Sequence, residues 1–175
     1  MEPREYGELG MRFAMARLED AVSKDAEAEV LVALSETLHW AYALDAHHGS
    51  GRRGAYEAAR IADPDGIVLC GLIFARNRAT HGLAEAAKLI ESPGPLVRQA
   101  RPAGMGGARI TAPASRRDMC WREYKSLRRP RRDEKGATEY EQAVSGKDVL
   151  VPMWAGIRFL LDFPQPWVPQ GSAHQ

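Results

Sequence analysis

The sequence predicts a mainly α-helical fold, a bundle of four to five helices with a small β-hairpin insertion and a basic loop. Three observations favour this class. Long stretches carry apolar residues at helical spacing, a strong helix start stands at "DPDG" (63–66), and no strand–helix–strand alternation indicates a parallel sheet. At 175 residues, 45% of them hydrophobic, the chain can bury one core. We expect a single domain over 1–165, with its insertion at about 93–136, and an extended or disordered tail over 166–175.

The first helical region runs from Glu8 to His48, as one long helix or two in series. Few helix breakers interrupt it, and its apolar residues recur at intervals of three and four. Ser23 with Asp25 is expected to cap the start of the second part, and the glycines of "HHGSGRRG" (47–54) are expected to end it. The apolar positions of this pattern are Val30, Leu31, Leu34, Leu38, Ala41 and Leu44.

Two further helices are predicted before the chain changes character. A short one covers Ala55 to Ala62. Asp63 can accept hydrogen bonds from backbone N–H groups and Pro64 suits a first helical position, so the next helix is expected to run from there to about Glu91. Its first half, "IVLCGLIFA", is apolar on nearly every side, which predicts burial against several neighbours. "SPGP" (92–95) is expected to end it.

Short apolar segments between turn residues follow. Between Pro95 and Ala114, "PLVRQA" and "ARITAP" flank the glycine-rich "RPAGMGG", which predicts a β-hairpin. A third short strand is predicted at about Cys120 to Tyr124. The arginine-rich "SLRRPRRDEKG" (126–136) has no apolar periodicity, and it is expected to be a mobile loop.

Two helices are predicted at the end of the bundle. The first covers Thr138 to Val144. The second lies in "GKDVLVPMWAGIRFLLDF" (146–163), where Pro152 falls in the first turn, a position that tolerates proline. Its apolar stripe consists of Val149, Met153, Ile157, Leu160 and Leu161.

The charge distribution points to an anionic partner. The total formal charge is +1, but residues 116–135 contain nine basic and four acidic side chains, so this segment is +5 and the remainder is −4. A local basic field suits RNA, because phosphate contacts dominate affinity for nucleic acids. The alternative is a solvated loop without a partner. The arginines expected to bind RNA are Arg128, Arg129, Arg131 and Arg132, together with Arg78.

The remaining composition excludes several classes. The two cysteines, Cys70 and Cys120, show no metal-site or disulfide spacing, and no apolar run reaches the roughly 18 residues that span a bilayer. We therefore expect a cytoplasmic protein with reduced thiols, no membrane partner, no metal and no cofactor. His39, His47 and His48 offer a weaker metal alternative, since adjacent histidines are poor joint ligands.

Four polar residues collect at the end of the long apolar helix: Arg76, Asn77, Arg78 and His81. On a regular helix Arg76 and His81 would be about 140° apart, so one copy would not bring them face to face. Two copies related by a two-fold axis could place each arginine near the partner's histidine. Histidine can move protons near neutral pH and arginine can grip phosphate oxygens, which are the needs of RNA cleavage without a metal.

The stretch "RNRATH" (76–81) resembles the Arg-polar-x-His motif of the HEPN superfamily (higher eukaryotes and prokaryotes nucleotide-binding). Its members are four- or five-helix bundles, frequently dimeric, and many are metal-independent ribonucleases of toxin–antitoxin and phage-defence systems. The resemblance implies an endoribonuclease in which Arg76 and His81 are the catalytic pair and Asn77 supports them. It also implies a homodimer that acts on RNA as a toxin or defence effector.

Two further stretches are similar to the first core helix and the last helix of actinobacterial-type members of the superfamily. They are "ALSETLHWAYALDAHH" (33–48) and "YEQAVSGKDVLVPMWAGIRFLLD" (140–162). The hairpin and the arginine-rich loop have no counterpart in the minimal family bundle. An antitoxin protein is a further partner that the resemblance implies. The subgroup regulated by nucleotidyl transfer carries a tyrosine two places after the histidine, however, and this chain has Leu83.

Several alternatives stay open at the level of sequence. One is a non-catalytic HEPN-like module that binds nucleic acid or a protein. Another is that the Arg76–His81 group only marks the solvated end of a helix. A HEPN-like fold could bring Glu36 or Asp45 near His81, although surface positions are favoured for both. Trp121, between cations, could stack on an RNA base, but packing in the core is favoured.

Overall fold

The computed structural model describes residues 2–51, 53–79, 87–92, 97–99, 109–111, 116–127 and 135–163. These residues form a mainly helical structure with small antiparallel β elements, which confirms the predicted fold class. The helices are α1 (Pro3–Ser23), α2 (Glu27–Gly51), α3 (Arg53–Ala62), α4 (Pro64–Ala79), α5 (Ala137–Ala143) and α6 (Leu150–Asp162). The strands are β1 (Ala87–Ser92), β2 (Val97–Gln99), β3 (Arg109–Thr111) and β4 (Arg116–Trp121).

The first helical region is two helices in series, α1 and α2, packed against each other as a hairpin. The predicted cap of α2 was wrong. The Ser23 hydroxyl donates to the Asp20 carbonyl 2.7 Å away and so serves the end of α1. Asp25 has a left-handed backbone with φ 55°, and its N–H donates to the Val22 carbonyl. This conformation reverses the chain after α1, as left-handed residues commonly do at helix ends.

The start of α4 is confirmed as predicted. The Asp63 carboxylate accepts hydrogen bonds from the backbone N–H groups of Asp65 and Gly66, at 2.7 and 3.3 Å, and Pro64 is the first helical residue. Leu69, Leu72 and other apolar residues of α4 are fully buried, because the helix packs against α2, α3, α5 and α6. The predicted burial of this helix is therefore confirmed.

The predicted end of that helix was wrong. The helix ends at Ala79, and Ala87–Ser92 forms strand β1. β1 pairs antiparallel with β4, and the register places Ala87 opposite Trp121. Both of these side chains are buried. The helical preference of "AKLIE" (87–91) is overridden here because β1 supplies the backbone hydrogen-bond partner that β4 requires.

The β-hairpin is confirmed by β2 and β3, whose pairing sets Val97 opposite Thr111. The third strand exists but lies earlier than predicted, since β4 ends at Trp121 and a short 3-10 turn follows at Tyr124–Ser126. The Trp121 N–H donates to the Lys147 carbonyl at 2.8 Å, which ties β4 to the segment before α6. Residues 128–134, which hold most of the predicted mobile loop, lie outside the described residues, as does the tail from 164 onward.

The short α3 and the last two helices also match the prediction. The predicted stripe is buried at Val149, Met153, Ile157 and Leu160 and partly buried at Leu161. Pro152 lies in the first turn of α6 and is buried as well. The buried apolar side chains of all six helices and of β1 and β4 form one cluster. None of the described helices has the length and apolarity to cross a membrane.

Candidate functional site

Arg76 lies in the last turn of α4, where a cation is favoured by the helix dipole. Its guanidinium carbon is 4.2 Å from the centroid of the Tyr42 ring on α2, and its Nη1 donates to Asn77 Oδ1 at 3.3 Å. Within the described residues, Arg76 pairs with no carboxylate. A held guanidinium without a countercharge is suited to a phosphate.

The other predicted site residues are not brought to this point by the described structure. Arg78 lies on another side of α4, with its guanidinium carbon 5.4 Å from the Phe74 ring centroid. Phe74 itself packs against Tyr124 and Tyr140, away from Tyr42. His81 lies outside the described residues, two positions beyond the last residue of α4. The four loop arginines at 128, 129, 131 and 132 also lie outside them.

A cleft of about 500 Å³ opens beside Asn77 and Tyr42. It lies between α2, α3, α4 and the start of α5. Gly136, just before α5, has a left-handed backbone with φ 85°, and a Cβ there would come 2.6 Å from the Cys70 carbonyl oxygen. A glycine is therefore required for α5 to lie this close to α4. No pattern in the sequence predicted this cleft.

The floor of the cleft is a buried ion pair. Asp45 Oδ1 accepts hydrogen bonds from Arg60 Nη1 at 2.5 Å and from the Tyr56 hydroxyl at 2.7 Å. The exposed fractions of the Arg60 and Asp45 side chains are 9% and 13%. Burial, and then the Asp45 charge, raise the pKa of Tyr56, so its hydroxyl stays protonated and donates.

The prediction of a surface position was therefore wrong for Asp45. The same prediction was correct for Glu36, which forms an exposed ion pair with Arg17. The signal that could have found the buried network is the spacing of Tyr56 and Arg60, which share one side of α3 at i and i+4.

Cys70 lines the cleft, but its chemistry is not that of a nucleophile. Burial raises the pKa of the thiol, so it stays protonated at neutral pH. In the part of the chain that the structure describes, no three His, Cys, Asp or Glu side chains are placed to hold a metal ion.

His48, one of the histidines of the metal alternative, is part of the packing. It is stacked on Tyr56 with ring centroids 5.5 Å apart, and its Nε2 is 3.2 Å from the Leu160 carbonyl oxygen on α6. Burial, and then the nearby Arg4 charge, lower the pKa of His48. The neutral imidazole donates from Nε2 to that carbonyl.

Trp121 does not offer a surface for a base. Its side chain is fully buried in the core, so the favoured packing role is confirmed and the stacking alternative was wrong.

No protein-family model, curated protein or solved structure matches the chain. The protein is thus characterised by its own fold and site, a mainly helical bundle with a cleft and, beside that cleft, an arginine that pairs with no carboxylate among the described residues. The resemblance to the HEPN superfamily, at the motif of 76–81 and in the helical stretches 33–48 and 140–162, stays a prediction.

Proposed function

We propose that the protein is a HEPN-type, metal-independent endoribonuclease that cleaves RNA with Arg76 and His81. The supporting observation is the position of Arg76, which is held against Tyr42 and Asn77, without a carboxylate among the described residues, at the mouth of a cleft. Asn77 is the residue that orients the guanidinium.

The reaction needs three contributions from these residues. A neutral histidine removes the proton of the 2′-hydroxyl, and the oxygen attacks the adjacent phosphorus. The bond between phosphorus and the 5′-oxygen breaks, and a protonated histidine gives that oxygen a proton. The products are a 2′,3′-cyclic phosphate and a free 5′-hydroxyl. Arg76 stabilises the charge that develops on the phosphate oxygens.

The two protonation states of histidine suggest two copies of His81. In a homodimer with a two-fold axis, one His81 acts as base and the other as acid. The basic segment at 116–135 holds the RNA strand through phosphate contacts. In a cellular setting such an enzyme acts as a toxin or a defence effector, with an antitoxin protein as its partner.

RNA digestion in EDTA tests the reaction. The wild-type protein should release fragments that end in 2′,3′-cyclic phosphate, and His81→Ala or Arg76→Ala should lower the rate by at least about a hundredfold. His39→Ala is the matched control, because His39 is an exposed histidine on α2. Cleavage by His81→Ala at the wild-type rate would show that a contaminating nuclease or another residue is responsible.

Mixing wild-type and His81→Ala chains tests the composite site. If one cleft needs His81 from both copies, a mixed dimer is inactive, and an equimolar random mixture should keep about a quarter of the wild-type activity. If each chain acts alone, the mixture keeps about half of that activity, and the dimeric arrangement is wrong while the roles of the residues stand.

Salt dependence tests the basic segment. Replacing its four loop arginines with Ala should reduce the slope of log affinity against log salt by up to about 3, since each lost contact to single-stranded RNA contributes about 0.7. A matched control removes four exposed cations elsewhere and should leave the slope unchanged. The loop set is Arg128, Arg129, Arg131 and Arg132, and the control set is Arg12, Arg17, Lys24 and Arg158. Equal slopes for the wild type and the loop variant would assign the loop to solvent.

A second candidate function is a non-catalytic binding module for a protein. The observation that favours it is an exposed apolar stripe on α1, formed by Tyr6, Leu9 and Phe13 at positions i, i+3 and i+7. Such patches mark protein interaction sites. Absence of cleavage by the pure protein, together with loss of a partner in Phe13→Ser, would favour the module over the enzyme.

A further inference from the structure

The cleft and the arginine share two residues. Tyr42 lines the cleft and also carries the Arg76 guanidinium 4.2 Å from its ring centroid. Asn77 lines the cleft and accepts the hydrogen bond from Arg76. A phosphate held by Arg76 is therefore next to the cleft mouth, and the nucleoside joined to that phosphate is within reach of the interior.

The walls of the cleft fit a flat heterocycle. Tyr42 contributes an aromatic side chain, and Ile61 and Ile73 contribute apolar side chains. The volume of about 500 Å³ lies within the range of small-molecule sites, and protein sites for unpaired bases combine apolar or aromatic walls with a few polar groups. The floor is held together by the hydrogen bonds of Asp45 with Arg60 and Tyr56, so it supports the cleft without the ligand, although Arg60 Nε has no hydrogen-bond partner among the described residues.

One polar group of the wall has spare capacity. The Glu139 carboxylate lines the cleft from α5, is half-buried, and has no hydrogen-bond or ion-pair partner among the described residues. A carboxylate accepts hydrogen bonds and donates none. It therefore favours bases with an exocyclic amino group, which are guanine, adenine and cytosine. Uracil offers only its N3–H, and this donor lies between two carbonyl oxygens that repel a carboxylate.

We propose that this cleft binds the base of the nucleotide whose phosphate contacts Arg76, and that Glu139 makes it prefer bases with an amino group. The inference rests on the proposed function for the phosphate position at Arg76. It adds a specificity site formed by α2, α3, α4 and α5. The expected consequence is that cleavage occurs next to guanosine, adenosine or cytidine more often than next to uridine.

Binding of nucleotides without a scissile bond tests the cleft separately from cleavage. The probes are the 3′-monophosphates of guanosine, adenosine, cytidine and uridine, titrated into the full chain and followed by NMR. The amino-bearing probes should bind about tenfold more tightly than the uridine probe. Equal affinity for all four probes, or no binding of any, would overturn the inference.

Two pairs of variants locate the binding. Ile61→Trp fills the cleft from an exposed position and should weaken binding of every probe at least tenfold, while Val151→Trp on α6 should change it less than twofold. The exposed fractions of the two parent side chains are 64% and 60%, so neither change disturbs the core. In Glu139→Gln the affinities for the amino-bearing probes and for the uridine probe should differ by less than about twofold, because an amide donates hydrogen bonds as well as accepting them. Glu141→Gln, on an exposed residue of the same helix, should retain the preference.

The outcomes separate this inference from the proposed function. Arg76→Ala should weaken all four probes to a similar extent and leave the order of preference unchanged, since it removes only the phosphate contact. RNA cleavage without a base preference would refute only the assignment of the cleft as a base site. Undiminished binding of the probes by Ile61→Trp would do the same. The expected binding pattern without cleavage of any RNA refutes the ribonuclease and leaves the base site standing.

Discussion

The buried ion pair at the floor of the cleft makes a quantitative prediction about stability. Asp45→Asn preserves the size of the side chain and an oxygen acceptor for Tyr56, but it removes the charge that faces Arg60. The Arg60 side chain is only 9% exposed and its guanidinium is 2.5 Å from the carboxylate, so the cation would be left buried without a counterion. Breaking a buried pair in this way costs about 3–5 kcal/mol.

The magnitude at this site is expected near the lower end, about 3 kcal/mol, because the amide oxygen still accepts a hydrogen bond. In a chain of this length such a loss lowers the melting temperature by about 6–12 °C. Urea unfolding followed by circular dichroism, with linear extrapolation to water, measures the free energy of unfolding directly.

A double-mutant cycle separates the pair from the loss of a single side chain. Arg60→Met removes the partner, and the double variant Asp45→Asn with Arg60→Met should be more stable than either single variant, since no unpaired charge is then buried. The surface control is Glu36→Gln, which breaks the exposed pair with Arg17 and should have a much smaller effect, because water and salt screen those charges. Additive losses in the cycle, or equal losses for Asp45→Asn and Glu36→Gln, would refute the argument.

Two further predictions concern packing and pH. Gly71→Ala should lower the free energy of unfolding by about 1–3 kcal/mol, because a Cβ there would lie 2.9 Å from the Tyr140 Cα. A Cβ at Gly54 would face open space, so Gly54→Ala should raise the free energy of unfolding by about 0.5 kcal/mol. Urea unfolding of both variants checks the contrast. The lowered pKa of His48 means that the folded state favours the neutral ring, so its contribution is full above its ordinary pKa of about 6.5 and is lost as pH falls below it. His48→Gln should therefore show a flatter decline in stability between about pH 7 and pH 5 than the wild type, and equal slopes would contradict the assignment.

Local signals predicted most of the helices because their causes are local. The start of α4 follows from Asp63 and Pro64, whose side chains act on backbone groups within the same turn. The apolar stripe of α6 follows from spacing alone, since any residue on that side must be buried. Such features need no knowledge of the partner element.

The errors have non-local causes. Strand β1 carries helix-forming residues, and only its partner β4, about thirty positions later in the chain, makes it a strand. Asp45 reads as a surface residue on a long helix, and only Arg60 and Tyr56 on α3 make burial acceptable. The cleft likewise depends on four helices meeting, which no single stretch of sequence encodes.

The case for a dimer has two parts. The angle of about 140° between Arg76 and His81 applies to a regular helix that includes both residues. His81 lies outside the described residues, so this angle stays a prediction. The need for one acid and one base is the second part, and it makes the mixing of wild-type and His81→Ala chains the decisive measurement.

Arg60 and Arg76 show why partners, rather than residue type, decide the role of a cation in this protein. Arg60 is buried against Asp45, so its charge is already compensated and its removal should lower stability. Arg76 is half-buried on Tyr42 and forms no ion pair in the described part of the chain, so its removal should leave stability nearly unchanged. The rate of RNA cleavage should respond in the opposite way, because Arg76→Ala should lose cleavage while its free energy of unfolding stays at the wild-type value. If Arg60 variants lose stability and Arg76→Ala loses only RNA cleavage, phosphate binding is assigned to Arg76 on evidence that is independent of its place in the sequence motif.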